Sequence, residues 1–139
     1  FEAQNLKVRA GNSAEFRARF ELQNGSAVNL TPSPVTDYSG APHLFLARYD
    51  AAAQQIGVWI DGGMVASGNG YATPIGAADN MRLMRHFGSA LRLEGMLGEV
   101  VAISSALSED RERLEGYAAH LWGLTGQLPA GHPYKSVAP

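Results

Sequence analysis

HLFLARYD (His43–Asp50), then VWIDGGMVAS (Val58–Ser67), is the stretch that decides how this chain folds. In Ile56 to Asp61, the residues Ile56, Val58 and Ile60 share one face and Gly57 and Trp59 the other, a period of two that belongs to an extended strand. Asp61-Gly62-Gly63 supplies the positive-φ residues of a tight turn, so Met64 to Ser67 returns antiparallel to it. His43 to Asp50 is apolar on both faces at its start and polar at its end, as expected of an interior strand in a two-sheet structure.

Working outward toward the N-terminus, Ala14 to Leu22 alternates strictly, with Ala14, Phe16, Ala18, Phe20 and Leu22 on one face and Glu15, Arg17, Arg19 and Glu21 on the other. Leu6 and Val8 alternate with Lys7 and Arg9, and Gly11-Asn12-Ser13 between the two runs predicts a hairpin. Asn24-Gly25 predicts another turn, leading into a short strand around Ala27 to Leu30. Thr31 to Pro42 holds Pro32, Pro34 and Pro42, which removes backbone donors and predicts a loop.

Toward the C-terminus, Gly68 to Asp79 is small and polar and predicts a long loop. Asn80 to Arg85 and Leu91 to Leu93 are weaker strand signals, and Met96 to Ile103 (MLGEVVAI) is a strong one. A helix follows over 108–122: Ser108 is a suitable N-cap, and Glu109 and Asp110 put negative charge where the dipole favours it. Leu114, Tyr117, Ala118 and Leu121 recur at helical spacing as the face expected to pack on the core. Gly123 is the expected left-handed residue after the last turn, and the prolines beyond Leu128 predict an extended tail over 125–139. About eight short strands with regular turn signals and one late helix predict an all-β, two-sheet antiparallel jelly-roll sandwich.

The chain has 139 residues, a length that suits a single domain, 1–139. Eleven Lys and Arg face thirteen Asp and Glu, a net charge of −2, which argues against nucleic acid as partner. With no cysteine there is neither a disulfide framework nor a thiol nucleophile. Apolar runs fall far short of the roughly 20 residues that span a bilayer, so no membrane partner is expected. No signal-peptide pattern opens the chain, and a sequence starting at Phe1 rather than Met is expected to have had residues before it.

Glycosidase chemistry would need two carboxylates about 5 to 9 Å apart in a groove. Glu94 and Glu99 are five apart and would face opposite sides of one strand, whereas Glu109, Asp110, Glu112 and Glu115 sit on the helix, where a structural role is expected. His43, His86, His120 and His132 form no HxH or HExxH pattern and are expected to be unconnected structural residues. Asp37, Asp61, Asp79 and Asn80 lie in loops without an Asp-rich calcium cluster, and Gly88-Ser89-Ala90 is no nucleophile elbow. No catalytic residue, metal or cofactor is therefore expected. Core packing is expected for Trp59 and Trp122. What remains is surface: the Glu15, Arg17, Arg19, Glu21 stripe, either a solvated sheet face or a docking face. Nine of the eleven basic residues are Arg, which interfaces favour.

HLFLARYD, VWIDG (Val58–Gly62), GMLGEVVAISSALSEDRERLEGYAAHLWGL (Gly95–Leu124) and LPAGHPY (Leu128–Tyr134) together resemble the concanavalin A-like, laminin-G-like jelly-roll domains of phage and bacterial proteins. That family hosts glycan binders, glycosidases and structural pieces, and the paired strand carboxylates of its glucanase members are missing here. The resemblance implies a non-enzymatic structural module, most like a small decoration or cementing protein on the outer capsid surface of a tailed phage, assembled in the host cytoplasm. Its partner would be the major capsid protein, with a homodimer as its own assembly state. The alternative is a carbohydrate-binding module using loop aromatics such as Tyr38 and Tyr71. Interface candidates are Glu15, Arg17, Arg19, Glu21, Pro32, Pro34, Tyr38, Tyr71 and Tyr134.

Overall fold

A computed structural model of the chain describes residues 7–8, 18–21, 27–30, 38, 40–70 and 96–139, with backbone alone for 7–8, 18–21 and 27–29. The chain divides into two compact units, Phe1–Asp37 with Ala72–Ser104 and Tyr38–Tyr71 with Ser105–Pro139.

In the first unit, β1 (Lys7–Val8), β2 (Ala18–Glu21) and β3 (Ala27–Leu30) form an antiparallel sheet in the order β1-β2-β3. Val8 pairs with Ala18, and Ala18 in turn with Leu30. The turns expected at Gly11-Asn12-Ser13 and Asn24-Gly25 lie outside the described residues, as do the strand signals at Asn80 to Arg85 and Leu91 to Leu93.

The second unit contains β4 (Phe45–Asp50), β5 (Gln55–Ile60) and β6 (Gly63–Asn69), again antiparallel and in chain order. Phe45 pairs with Ile60 and Asp50 with Gln55, so Phe45, Ala47, Tyr49, Ile56, Val58 and Ile60 share a face. Leu46, Arg48, Gly57 and Trp59 share the other. Residues 56–60 are buried throughout, so β5 is covered on both sides as a central strand should be. Asp61 and Gly62 turn the chain with φ of 52° and 78°, the left-handed pair that a two-residue hairpin needs. The register against β6 shifts between Val58 and Trp59. β6 runs on to Asn69, two residues past the predicted end of that strand.

One helix, α1 (Ser108–Trp122), and a 3₁₀ turn (Thr125–Gln127) complete this unit. The helix occupies the predicted span, but Ser108 is its first turn rather than its cap. The N-cap is Leu107, which makes no side-chain cap bond; just before it, the Ser105 hydroxyl accepts from Leu107 N–H at 3.2 Å and donates to Asp110 at 2.5 Å, tying the lead-in to the first turn. At the other end Gly123 is left-handed (φ 70°), and the N–H groups of Gly123 and Leu124 both donate to Ala119 C=O. This closure drops Leu124 onto Ala119 and Leu128, a buried cluster joined by Leu44. Gly123→Ala is expected to cost about 1 kcal/mol, because a Cβ disfavours that φ, and a urea melt would read it directly.

The described residues correct the expected architecture. A two-sheet jelly roll brings strands distant in sequence side by side, whereas each observed sheet is a three-stranded meander in chain order. In the second unit the Trp59 face of the sheet meets α1. Met96 to Ile103 forms no strand: the segment has no regular structure, and Met96, Leu97, Val100, Val101 and Ile103 are exposed. Its apolar pattern suits a pleated surface but does not name the distant strand that must pair with it. The tail is likewise not extended. After the 3₁₀ turn it folds back through successive turns, with Leu128 and His132 buried.

Candidate functional site

The buried side of α1 is not the apolar stripe that its spacing suggests. Glu115, Gly116 and Ala119 are its buried residues, while Tyr117, Leu121 and Trp122 are exposed, Leu121 by 55% and Trp122 by 50%. At about 100° per residue, Tyr117 and Leu121 each fall about 160° round the axis from Ala119. The inward side is held by charge, a ring face and a missing Cβ.

Trp59 is the anchor on the sheet. Its indole lies over Gly57, where a Cβ would come within 2.5 Å of the ring, so this face of β5 needs glycine two residues before the tryptophan. Arg48 from β4 and Arg111 from α1 both stack on the indole, with guanidinium carbons 5.2 and 5.0 Å from the ring centre. Arg48 also donates to Ala106 C=O at 2.9 Å and to the Ser108 hydroxyl at 3.2 Å, tying β4 to the start of the helix.

Arg111 then donates to Glu115, one turn along, and to Glu112 at 2.8 Å. Glu115 is buried, and its Oε2 also receives His132 Nε2 at 3.2 Å. Because His132 Nδ1 accepts from Tyr134 N–H at 3.3 Å, the ring hydrogen sits on Nε2 and is donated to the carboxylate. Tyr134 packs on Gly116, where a Cβ would lie 2.8 Å from its Cγ, and its carbonyl bonds His120 Nε2 at 3.0 Å. Its hydroxyl receives Arg113 Nε at 3.4 Å. That bond and the Glu109 carboxylate at 2.6 Å hold the Arg113 guanidinium above its ordinary pKa.

Lys135 closes the tail, its ammonium donating to the carbonyls of Thr125 and Gly126 at 3.2 Å each and to that of Leu128. Lys135→Met is expected to lower unfolding free energy by about 1–2 kcal/mol, since three carbonyls lose a charged donor at a half-buried site. Equilibrium denaturation would measure it.

His43 meets Asp61 at 2.6 Å, and Asp61 also accepts Leu44 N–H at 2.9 Å while its own N–H donates to Leu44 C=O at 2.9 Å. Tyr38 stands edge-on to the rings of His43 and Phe45, at 5.3 and 6.2 Å. Among the described residues no group of three His, Asp or Glu converges as metal ligands would.

Of the interface candidates, Tyr38 and Tyr134 therefore stand in separate clusters. Arg19 pairs with Lys7 and Asn29, and Glu21 with Ala27, within the first sheet. Glu15, Arg17, Pro32, Pro34 and Tyr71 lie outside the described residues, as do Asp37, Asp79, Asn80, His86 and Glu94. Trp59 is in the core as expected. Trp122 is not, because it ends the helix beside Gly123, on the last turn. Sequence reasoning missed the His132–Glu115–Arg111 chain. Its signal was Gly116, a costly mid-helix residue unless something must approach closely there.

The result is a compact unit in which Arg111, Glu115 and His132 face one another and whose helix turns Tyr117, Leu121 and Trp122 outward. Such a face can exclude water against another protein surface. No helix among the described residues is long and apolar enough to cross a membrane. Compared with known proteins, the chain matches no family model, no curated protein and no solved structure.

Proposed function

We propose that this chain is a non-enzymatic structural protein that works by binding another protein, and specifically that it fastens to the outside of a phage capsid and bridges major capsid protein subunits. The observation that carries the reading is the outward apolar edge of α1, with Leu121 and Trp122 half exposed on a helix whose buried residues are Glu115, Gly116 and Ala119. The resemblance read in HLFLARYD, VWIDG, Gly95–Leu124 and LPAGHPY to domains of phage and bacterial proteins, and the near-neutral net charge, are what suggest the capsid setting. Each copy would bury modest area, and many copies on a symmetric shell would add their binding free energies; two-fold pairing of the chain itself fits such a lattice.

Co-sedimentation of the purified chain with undecorated shells tests this. Binding is expected, and Leu121→Asp with Trp122→Asp should weaken it roughly thirtyfold, the loss of an anchor worth about 2 kcal/mol. Wild-type chain left in the supernatant would sink the proposal. A second reading, carbohydrate binding, is favoured by the Tyr38, His43 and Phe45 rings beside the Asp61 carboxylate. It requires calorimetric heats with a glycan that Tyr38→Ala abolishes.

A further inference from the structure

Helix α1 sits in an orientation that its own sequence disfavours. Its apolar stripe is only partly used: Leu114 and Ala118 are half-buried and Tyr117 and Leu121 exposed, while a carboxylate, a glycine and an alanine take the interior. Burying leucine is favourable, whereas a buried ion pair is often no better than well-packed apolar side chains of the same volume. Left to itself against the Trp59 face, the helix would gain by rolling about its axis to bury Leu114 fully and draw Leu121 inward.

What opposes that roll is the segment Leu128–Lys135. It grips α1 at four points: His132 Nε2 on Glu115 at 3.2 Å, the Tyr134 ring against Gly116, Tyr134 C=O on His120 at 3.0 Å, and the Tyr134 hydroxyl on Arg113 at 3.4 Å. Glu115 and Gly116 are buried and Arg113 and His120 exposed, and none of the four belongs to the apolar stripe. The segment is itself anchored. Lys135 holds three carbonyls ahead of it, and Leu128 and Pro129 pack so closely on the β5–β6 turn that a Cβ on Gly62 would lie 3.0 Å from each. The Gly116 notch also keys the rotation, because a Cβ there would lie 2.8 Å from the Tyr134 ring carbon Cγ.

We propose that Leu128–Lys135 is a clasp that fixes the rotation of α1 and thereby keeps the Leu121 edge of its apolar stripe turned outward. This deepens the protein-binding reading by naming what presents the binding face. The clasp can nevertheless be tested with no partner present, so the two can fail separately.

The chain contains no cysteine, so Leu121→Cys gives a single reporter thiol on the stripe. Its maleimide labelling rate is measured in the otherwise native chain and with His132→Ala plus Tyr134→Ala, each checked by far-UV circular dichroism. Labelling at least fivefold slower with helix content retained is the expected result, the rolled helix having buried position 121. The single change His132→Gln, which keeps a donor toward Glu115, should restore most of the native rate. Unchanged or faster labelling with the helix intact would overturn the proposal. Loss of the helix would overturn it too, by showing that the segment sets helix stability and not orientation.

Discussion

Glu115→Ala is expected to remove about 3–5 kcal/mol of unfolding free energy, the cost of breaking a buried charge pair by deleting one partner. The carboxylate is only 3% exposed and serves two donors, Arg111 from its own helix and His132 from the tail. Truncation leaves the guanidinium and the imidazole N–H facing a gap that water cannot readily fill. Removing both charges together is a different experiment. Arg111→Met with Glu115→Leu should cost markedly less than the sum of the single changes, because apolar side chains of similar volume replace the whole pair. Urea denaturation of the four members of this cycle would decide it. Additive losses would mean that Arg111 and Glu115 contribute independently, contrary to the network described.

Trp59→Ala should cost a similar amount, about 3–5 kcal/mol, as expected when a large buried aromatic is truncated. The indole is 4% exposed, lies over Gly57 and offers a face to each of two arginines from different elements. Its loss opens a cavity between sheet and helix and also removes the surface on which Arg111 is aligned toward Glu115. Trp59→Leu should recover part of the packing but not the ring contact with Arg48 or Arg111. Since Trp122 is half exposed, tryptophan fluorescence of the Trp59 variants would report the helix end alone, giving an internal check that α1 stays docked.

The hairpins of the second unit were legible because their information is local. Alternation at Ile56, Val58 and Ile60 and the Asp61-Gly62 pair fix strand period and turn within a few residues. The helix span and its Gly123 ending were legible for the same reason. Its rotation was not. Periodicity at Leu114, Tyr117, Ala118 and Leu121 identifies an apolar face but not what that face meets. The opposite side was selected by Trp59, His132 and Tyr134, all distant in sequence. The sandwich expectation failed on the same ground, since the alternation in MLGEVVAI says nothing of whether a strand elsewhere in the chain lies beside it, and the segment forms no strand. Likewise, proline content at Pro129 and Pro133 signals departure from regular structure. It cannot distinguish an extended tail from one folded back onto a helix, which here depends on Lys135 finding three carbonyls.

Protein binding at the outer capsid surface is tested most directly by stoichiometry. On the proposed reading the chain belongs to a virion, so particles from its source would be purified and resolved by denaturing gel electrophoresis, and the band intensity compared with that of the most abundant shell protein. A simple whole-number ratio between the two, constant across preparations and maintained after washing at high salt, is the expected result. A few copies per particle, or none, would contradict it.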